Sequence, residues 1–161
     1  MLLLLATACS GCGQTPRETA TVFPVAGRFT INGKPASGAL VSFIPLTAPA
    51  EGRRAIPSQA RADANGAFKL TTFLTADGAP EGDYKVTLYW PAPSPAAAPQ
   101  GDDDDAVLGP DQLRGRFASA DKSNLRAHVP AKPTNFAVVD LASASVSGAA
   151  EFQLPTAPQT D

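Results

Sequence analysis

Residues 81–90, EGDYKVTLYW, carry the clearest alternation in the chain. Tyr84, Val86, Leu88 and Trp90 fall on one side, Lys85, Thr87 and Tyr89 on the other, and Pro91 ends the run. A period of two sustained in this way is strand periodicity, with one face for a core and one turned outward. The same period recurs in short pieces from about Val22. Phe29 and Ile31 oppose Arg28 and Thr30, Val41 pairs with Phe43, and Phe68 with Leu70. Turn residues punctuate the pieces: Asn32-Gly33, Lys34-Pro35, and the tetrad Asp63-Ala64-Asn65-Gly66, in which Asp caps its own downstream backbone and Gly66 takes positive φ. No stretch has the period of an amphipathic helix, and no segment repeats. Six or seven short strands at this spacing define an all-β chain, expected to close as an antiparallel β-sandwich of the transthyretin-like or immunoglobulin-like kind.

Residues 27–45, GRFTINGKPASGALVSFIP, read as a hairpin whose connection exceeds two residues, because Pro35, Ser37 and Gly38 delay the second strand. Residues 46–58 contain three breakers and read as a loop. A strand is expected near Leu125–Val129. Residues 134–141, TNFAVVDL, read as a final strand with Ala137, Val139 and Leu141 inward, since the opposite set would bury Asp140.

The 161 residues suit one domain with tails. A domain over residues 22–142 would bury roughly 65% of its unfolded surface. Residues 91–112, PAPSPAAAPQGDDDDAVLGPDQ, depart sharply in composition and are expected to form a mobile loop, because so little apolar area cannot offset the entropy of ordering. Residues 143–161 read as a polar tail, in which AEFQL (150–154) has the pattern of an added edge strand. Net charge is −2, so no basic field attracts nucleic acid.

Both cysteines, Cys9 and Cys12, lie in the first dozen residues. A disulfide between core strands and a cysteine-based zinc site are thereby excluded. The start, MLLLLATAC, is a short apolar run ending in small residues before a cysteine, and it resembles a bacterial lipoprotein signal. Residues 1–8 would be the signal peptide and Cys9 the acylated N-terminus, with Cys12 as the alternative. Residues 9–21 would then be a lipidated, flexible tether. Each buried methylene of the acyl chains adds ~0.8 kcal/mol of membrane affinity. The expected location is therefore the cell envelope, lipid-anchored on the outer membrane or a periplasmic face.

FTINGKPASGALVSFIP, RADANGAFKLTT and APEGDYKVTLYW, in that order, resemble the carboxypeptidase-regulatory-like domain, a transthyretin-like β-sandwich of small bacterial lipoproteins. Gly38-Ala39-Val41-Phe43 fits the first motif of that family, Ala62-Asp63-Gly66-Phe68 the second, and Gly82-Tyr84-Val86 the third. The likeness extends through RFASADKSNLRAHV and NFAVVDL, with Phe117 where tyrosine is usual, and covers about residues 22–142. It implies a non-catalytic stabilising or adhesion module. Tyr84 would bury its ring and bond a backbone group through its hydroxyl, as in a tyrosine corner.

The search for chemistry yields little. His128 is the one histidine, and no nucleophile-elbow motif accompanies it, so it reads as an ordinary strand residue. Asp102–Asp105 lack the spacing of a calcium loop and read as a solvated acidic segment. Arg53-Arg54 read as a solvated loop pair. No cofactor, metal or catalytic residue is expected. The expected partners are the membrane, through the lipid, and an envelope protein or glycan. In the alternative reading the chain is a carbohydrate-binding module whose ligand contacts are Tyr89 and Trp90, exposed at the end of their strand.

Overall fold

A computed structural model describes residues 20–48, 55–93 and 108–141 together with the two-residue strand Phe152–Gln153. Cys9, Cys12, Arg53-Arg54 and Asp102–Asp105 lie outside the described residues. The described chain is all-β. Its eleven strands are β1 (Val22–Phe23), β2 (Val25–Ile31), β3 (Lys34–Pro35), β4 (Leu40–Pro45), β5 (Ser58–Arg61), β6 (Ala67–Lys69), β7 (Ala79–Pro80), β8 (Gly82–Tyr89), β9 (Leu125–Val129), β10 (Thr134–Asp140) and β11 (Phe152–Gln153). Six of them have four residues or more, which matches the six or seven expected strands.

Two sheets make the sandwich. In one, β2 is central, with β10 along one edge and β3 and β6 along the other. The other runs β11-β9-β8-β4-β5. β1 and β7 form a small antiparallel pair beside them. Most ladders are antiparallel, as expected, but β10 joins β2 in parallel and β11 joins β9 in parallel. Within AEFQL, Phe152–Gln153 thus supplies a two-residue edge strand.

The hairpin read over residues 27–45 is corrected. β2 turns at Asn32-Gly33 and pairs only with the two residues of β3. Asn32 and Gly33 both have positive φ (52° and 72°), the geometry that suits a two-residue turn to the right-handed twist of a ribbon. The chain then crosses to the opposite sheet, where β4 pairs with β5 and β8. The Ala36 N–H donates to the Phe29 carbonyl and the Gly38 N–H to that of Ala62, so the crossing segment is bonded to both layers.

Phe43 of β4 bridges the layers. Its ring lies 5.8 Å from that of Tyr84 in its own sheet, and 6.2 and 5.9 Å from those of Phe68 and Phe136 in the facing sheet. Phe29 stacks on Phe68 at 5.2 Å. Val86, Leu88, Leu125 and Val129 complete the wall on the β8–β9 side, all fully buried. Gly27 makes room for the rings: a Cβ there would sit 2.7 Å from the Phe68 ring and 3.2 Å from Phe136 Cβ. Tyr84 meets its expectation. Its hydroxyl donates to the Pro80 carbonyl at 2.7 Å, and burial pushes the phenol up to about 12.

β10 keeps the expected inward facing of Val139 and Leu141 and corrects that of Ala137. Residues 135 and 138 stand opposite 26 and 28 of β2, so one extra residue bulges between them. The bulge flips the parity. Thr134 and Phe136 point inward before it, Val139 and Leu141 after it, and Ala137 is half-buried while Val138 is exposed. Asp140 stays on the outer side, where its Oδ2 accepts from the Gly33 N–H at 3.0 Å. The segment read as a mobile loop, 91–112, is also corrected at its ends. Pro91 bridges Asp111, the Ala92 N–H donates to Pro110 O, and the Gln112 N–H donates to Trp90 O. Residues 94–107 lie outside the described residues.

Three exposed turns rest on aspartates. Asp63 Oδ1 accepts from the Asn65 and Ala67 N–H groups at 2.8 and 2.9 Å. The Gly66 that closes this turn has φ +74°, and a Cβ there would run into the Phe29 carbonyl oxygen and lie 2.9 Å from the Ala36 nitrogen. Gly33 has a similar φ with open space around it. Gly33→Ala should therefore cost only the left-handed strain, about 1 kcal/mol. Gly66→Ala should cost clearly more, because backbone must move as well. Urea unfolding of the two variants measures the difference, and equal midpoints would contradict the packing described.

Asp77 accepts from the Thr72, Phe73 and Leu74 N–H groups at 2.7, 3.0 and 2.8 Å. Desolvation raises its pKa, but the backbone donors outweigh it and hold the carboxyl below its usual range. A depressed carboxylate stabilises its loop above the unfolded pKa and loses that contribution as pH falls through the lower folded value. The Phe73 and Leu74 amide resonances should therefore hold constant down to about pH 4 and move only below it. In Asp77→Asn this acid step should vanish, as an NMR titration would record.

Candidate functional site

The structure sets Tyr89 and Trp90 at the base of the 91–112 segment. Both are half-buried, and Trp90 packs against the core. The Trp90 indole N–H donates to the Ser37 carbonyl at 3.0 Å, and the Tyr89 hydroxyl to the Gly109 carbonyl at 2.8 Å. Asp111 ties the same region together. Its Oδ1 accepts from the Trp90 and Leu113 N–H groups, each at 3.0 Å, and its Oδ2 from that of Gly115 at 2.7 Å. The polar ends of both aromatics are thus occupied by backbone, and Trp90 shares a cleft of about 490 Å³ with Asn32, Gln112 and Arg114.

His128 stands directly opposite Asp83 on the β8–β9 ladder, with Nδ1 2.8 Å from Oδ1. Both side chains are about two-thirds exposed (63% and 68%), so this is a surface cross-strand pair. Among the described residues no three His, Cys, Asp or Glu side chains come together in a way that could hold a metal ion.

Sequence reasoning missed a concavity on the outer face of the β10-β2-β6 sheet. A cleft of about 600 Å³ is floored by Ala26, Ala67 and Ala137 and ringed by Arg28, Arg61 and Lys69. Register explains how these cations meet. Ala26 pairs with Lys69 on one side and with Asn135 on the other, while Arg28 pairs with Ala67 and Val138. Lys69 and Arg28 therefore each stand beside an alanine on the neighbouring strand, which leaves a hollow between them. β5 closes against β6 at two points, the Gln59–Thr71 bridge and the bond from the Asp63 N–H to Ala67 O. Between those points Arg61 and Lys69 occupy opposed register positions across the seam. Arg28 lies diagonal to Lys69 on the next strand. None of the three cations has an ion-pair partner among the described residues. Asp63 is the one acidic residue in the cleft lining, and its Oδ1 already accepts two backbone bonds. Of the three, only Arg28 is assigned an outward strand position by the sequence reading. Their convergence depends on three strand registers that no local pattern carries.

No protein-family model and no curated protein matches the chain. Among solved structures, the chain is similar to a 9R-lipoxygenase from Cyanothece PCC8801, with a TM-score of 0.38 and 10% identity over 80% of this chain and 18% of that one.

Asp111→Ala would strip three backbone N–H groups of a charged acceptor. With hydrogen bonds to charged groups contributing ~1.5–3 kcal/mol, partly offset here by solvent, the variant should unfold earlier by about 2 kcal/mol. Its Leu113 and Gly115 amides should exchange faster, and its Trp90 emission should shift to the red. Unchanged exchange at Gly115 would show that the carboxylate does not hold this segment.

Proposed function

We propose that this protein is a lipid-anchored, non-enzymatic binding module of the bacterial cell envelope. Acyl chains on Cys9 would hold it in a membrane, the polar residues after Cys9 would give it reach, and the sandwich would present a fixed surface to a partner. The observation that carries the reading is how the fold uses its polar side chains. Asp63, Asp77, Asp111, Tyr84, Tyr89 and Trp90 all bond backbone and fix turns, while the outer face of the β10-β2-β6 sheet keeps an open, charged cleft. A scaffold stiffened in this way suits recognition by a preformed surface, since little order must be created on binding. The sequence resemblance to the carboxypeptidase-regulatory-like domain points the same way.

A second reading, a carbohydrate-binding module, is favoured by one feature: Trp90 shares its cleft with the polar side chains of Asn32, Gln112 and Arg114. Added glycan would then shift Trp90 emission, and unchanged emission would set that reading aside.

The anchor is tested by expressing the full chain in a bacterial host and taking the mass of the mature N-terminal peptide. The expected peptide begins at Cys9 and carries the added mass of diacylglyceryl and acyl groups. Cys9→Ser should leave the chain unprocessed and in the soluble fraction. An intact, unacylated Met1 on the wild-type product would overturn the anchor.

A further inference from the structure

We infer that the alanine-floored cleft on the outer face of the β10-β2-β6 sheet binds a phosphomonoester, with Arg28, Arg61 and Lys69 holding the phosphate and Ala26, Ala67 and Ala137 receiving its organic body. The inference takes from the proposed function only that the sandwich acts by binding, and it makes no use of the anchor.

The first argument is local frustration. Like charges facing each other across strands destabilise a sheet. Here Arg61 and Lys69 stand at the same level of the β5–β6 seam, between its two bonded points, and Arg28 stands diagonal to Lys69. No described carboxylate forms an ion pair with any of the three. A chain with net charge −2 gathers three of its thirteen Lys and Arg residues in one hollow. Departures from local rules of this kind concentrate where a ligand supplies the missing partner.

The second argument is charge count. Three cations and the Asp63 carboxylate leave the cleft at net +2. A phosphomonoester carries about −1.5 to −2 at pH 7, because its second pKa is about 6. A carboxylate or sulfate ester offers one charge. Two guanidinium groups supply planar donor forks suited to phosphate oxygens, and Lys69 adds a point charge.

The third argument is shape. A cleft of about 600 Å³ lies within the range of small-molecule sites, roughly 300–1,000 Å³, and exceeds what one phosphate fills. Ala26, Ala67 and Ala137 give the lining an apolar part, and Asn135 adds an amide to it.

The full chain, isotopically labelled, is titrated with phenyl phosphate, inorganic phosphate and benzyl alcohol, and followed by amide shifts. Phenyl phosphate should saturate, moving amides of residues 26–28, 61 and 67–69, and its affinity should fall as pH drops below about 6. Arg28→Gln and Lys69→Gln should each weaken binding about tenfold. Lys69→Gln should also melt no lower than wild type, because it relieves the repulsion. That combination separates a ligand contact from a structural role. Failure of phenyl phosphate to saturate, or equal affinity in Lys69→Gln, would overturn the site. Inorganic phosphate binding as tightly as phenyl phosphate would overturn the ester assignment, and benzyl alcohol doing so would overturn the role of charge. A chain found unacylated at Cys9 leaves this titration unaffected, so failure of the anchor and failure of the cleft are read separately.

Discussion

Phe43 stands where the two layers meet, and the rest of the sandwich is arranged around that contact. One side chain from β4 touches Tyr84 on its own sheet and Phe68 and Phe136 on the other, at ring separations of 5.8–6.2 Å. Tilted aromatic pairs at such distances add about 0.5–1.5 kcal/mol beyond the area they bury. Several sequence features make sense only as support for this cluster. Gly27 has no side chain because the Phe68 ring end and Phe136 Cβ occupy its inner face. The bulge in β10 exists between Asn135 and Val138 because Phe136 must enter the core while Asp140 must not. Crossing from β2 to β4, rather than folding back as a long hairpin, is what brings Phe43 over Phe68 at all.

Where the described residues form only strands and turns, many backbone N–H groups must be satisfied in turns, where no ladder partner exists. This protein does so with aspartate. Asp63, Asp77 and Asp111 together accept eight backbone N–H bonds at 2.7–3.0 Å. A carboxylate is suited to the task because its two oxygens serve several donors at once, and charge strengthens each bond. Acidic residues that count only as surface charge in a composition are here what gives the loops their shape. The same logic brings the ends of the 91–112 segment under control. Asp111 and the hydroxyl of Tyr89 clamp its base although the composition of the segment gives no hint of order.

How much of this could be read beforehand follows from the range of each signal. Alternation and turn chemistry act over a few residues, so β2, β4, β8, β9 and the Asp63–Gly66 turn were legible. So was the Tyr84 hydroxyl bond, which spans only four positions. What failed needs two distant segments compared. The facing of β10 was read correctly at Val139 and Leu141 but not at Ala137 and Phe136, because the bulge is defined by its register against β2, more than a hundred residues earlier. The partner of β2 was misread because Asn32-Gly33 makes a complete two-residue turn that β3 ends at once. Arg28 went unseen as a neighbour of Arg61 and Lys69 for the same reason, since it meets them only through the register of β2 against β6.

That last blindness bears on where function can hide in small sandwiches. Sites built from a histidine, a cysteine pair or a glycine loop leave a mark in the sequence because their chemistry demands rare residues at fixed spacing. A cleft on a sheet face uses common residues, and its specificity lies in which strands are neighbours. Here alternate large and small positions on adjacent strands carve the hollow, and the opposed cations at the β5–β6 seam set its charge. On this outer face the sheet gathers like charge into a concavity, an arrangement that its own packing does not require.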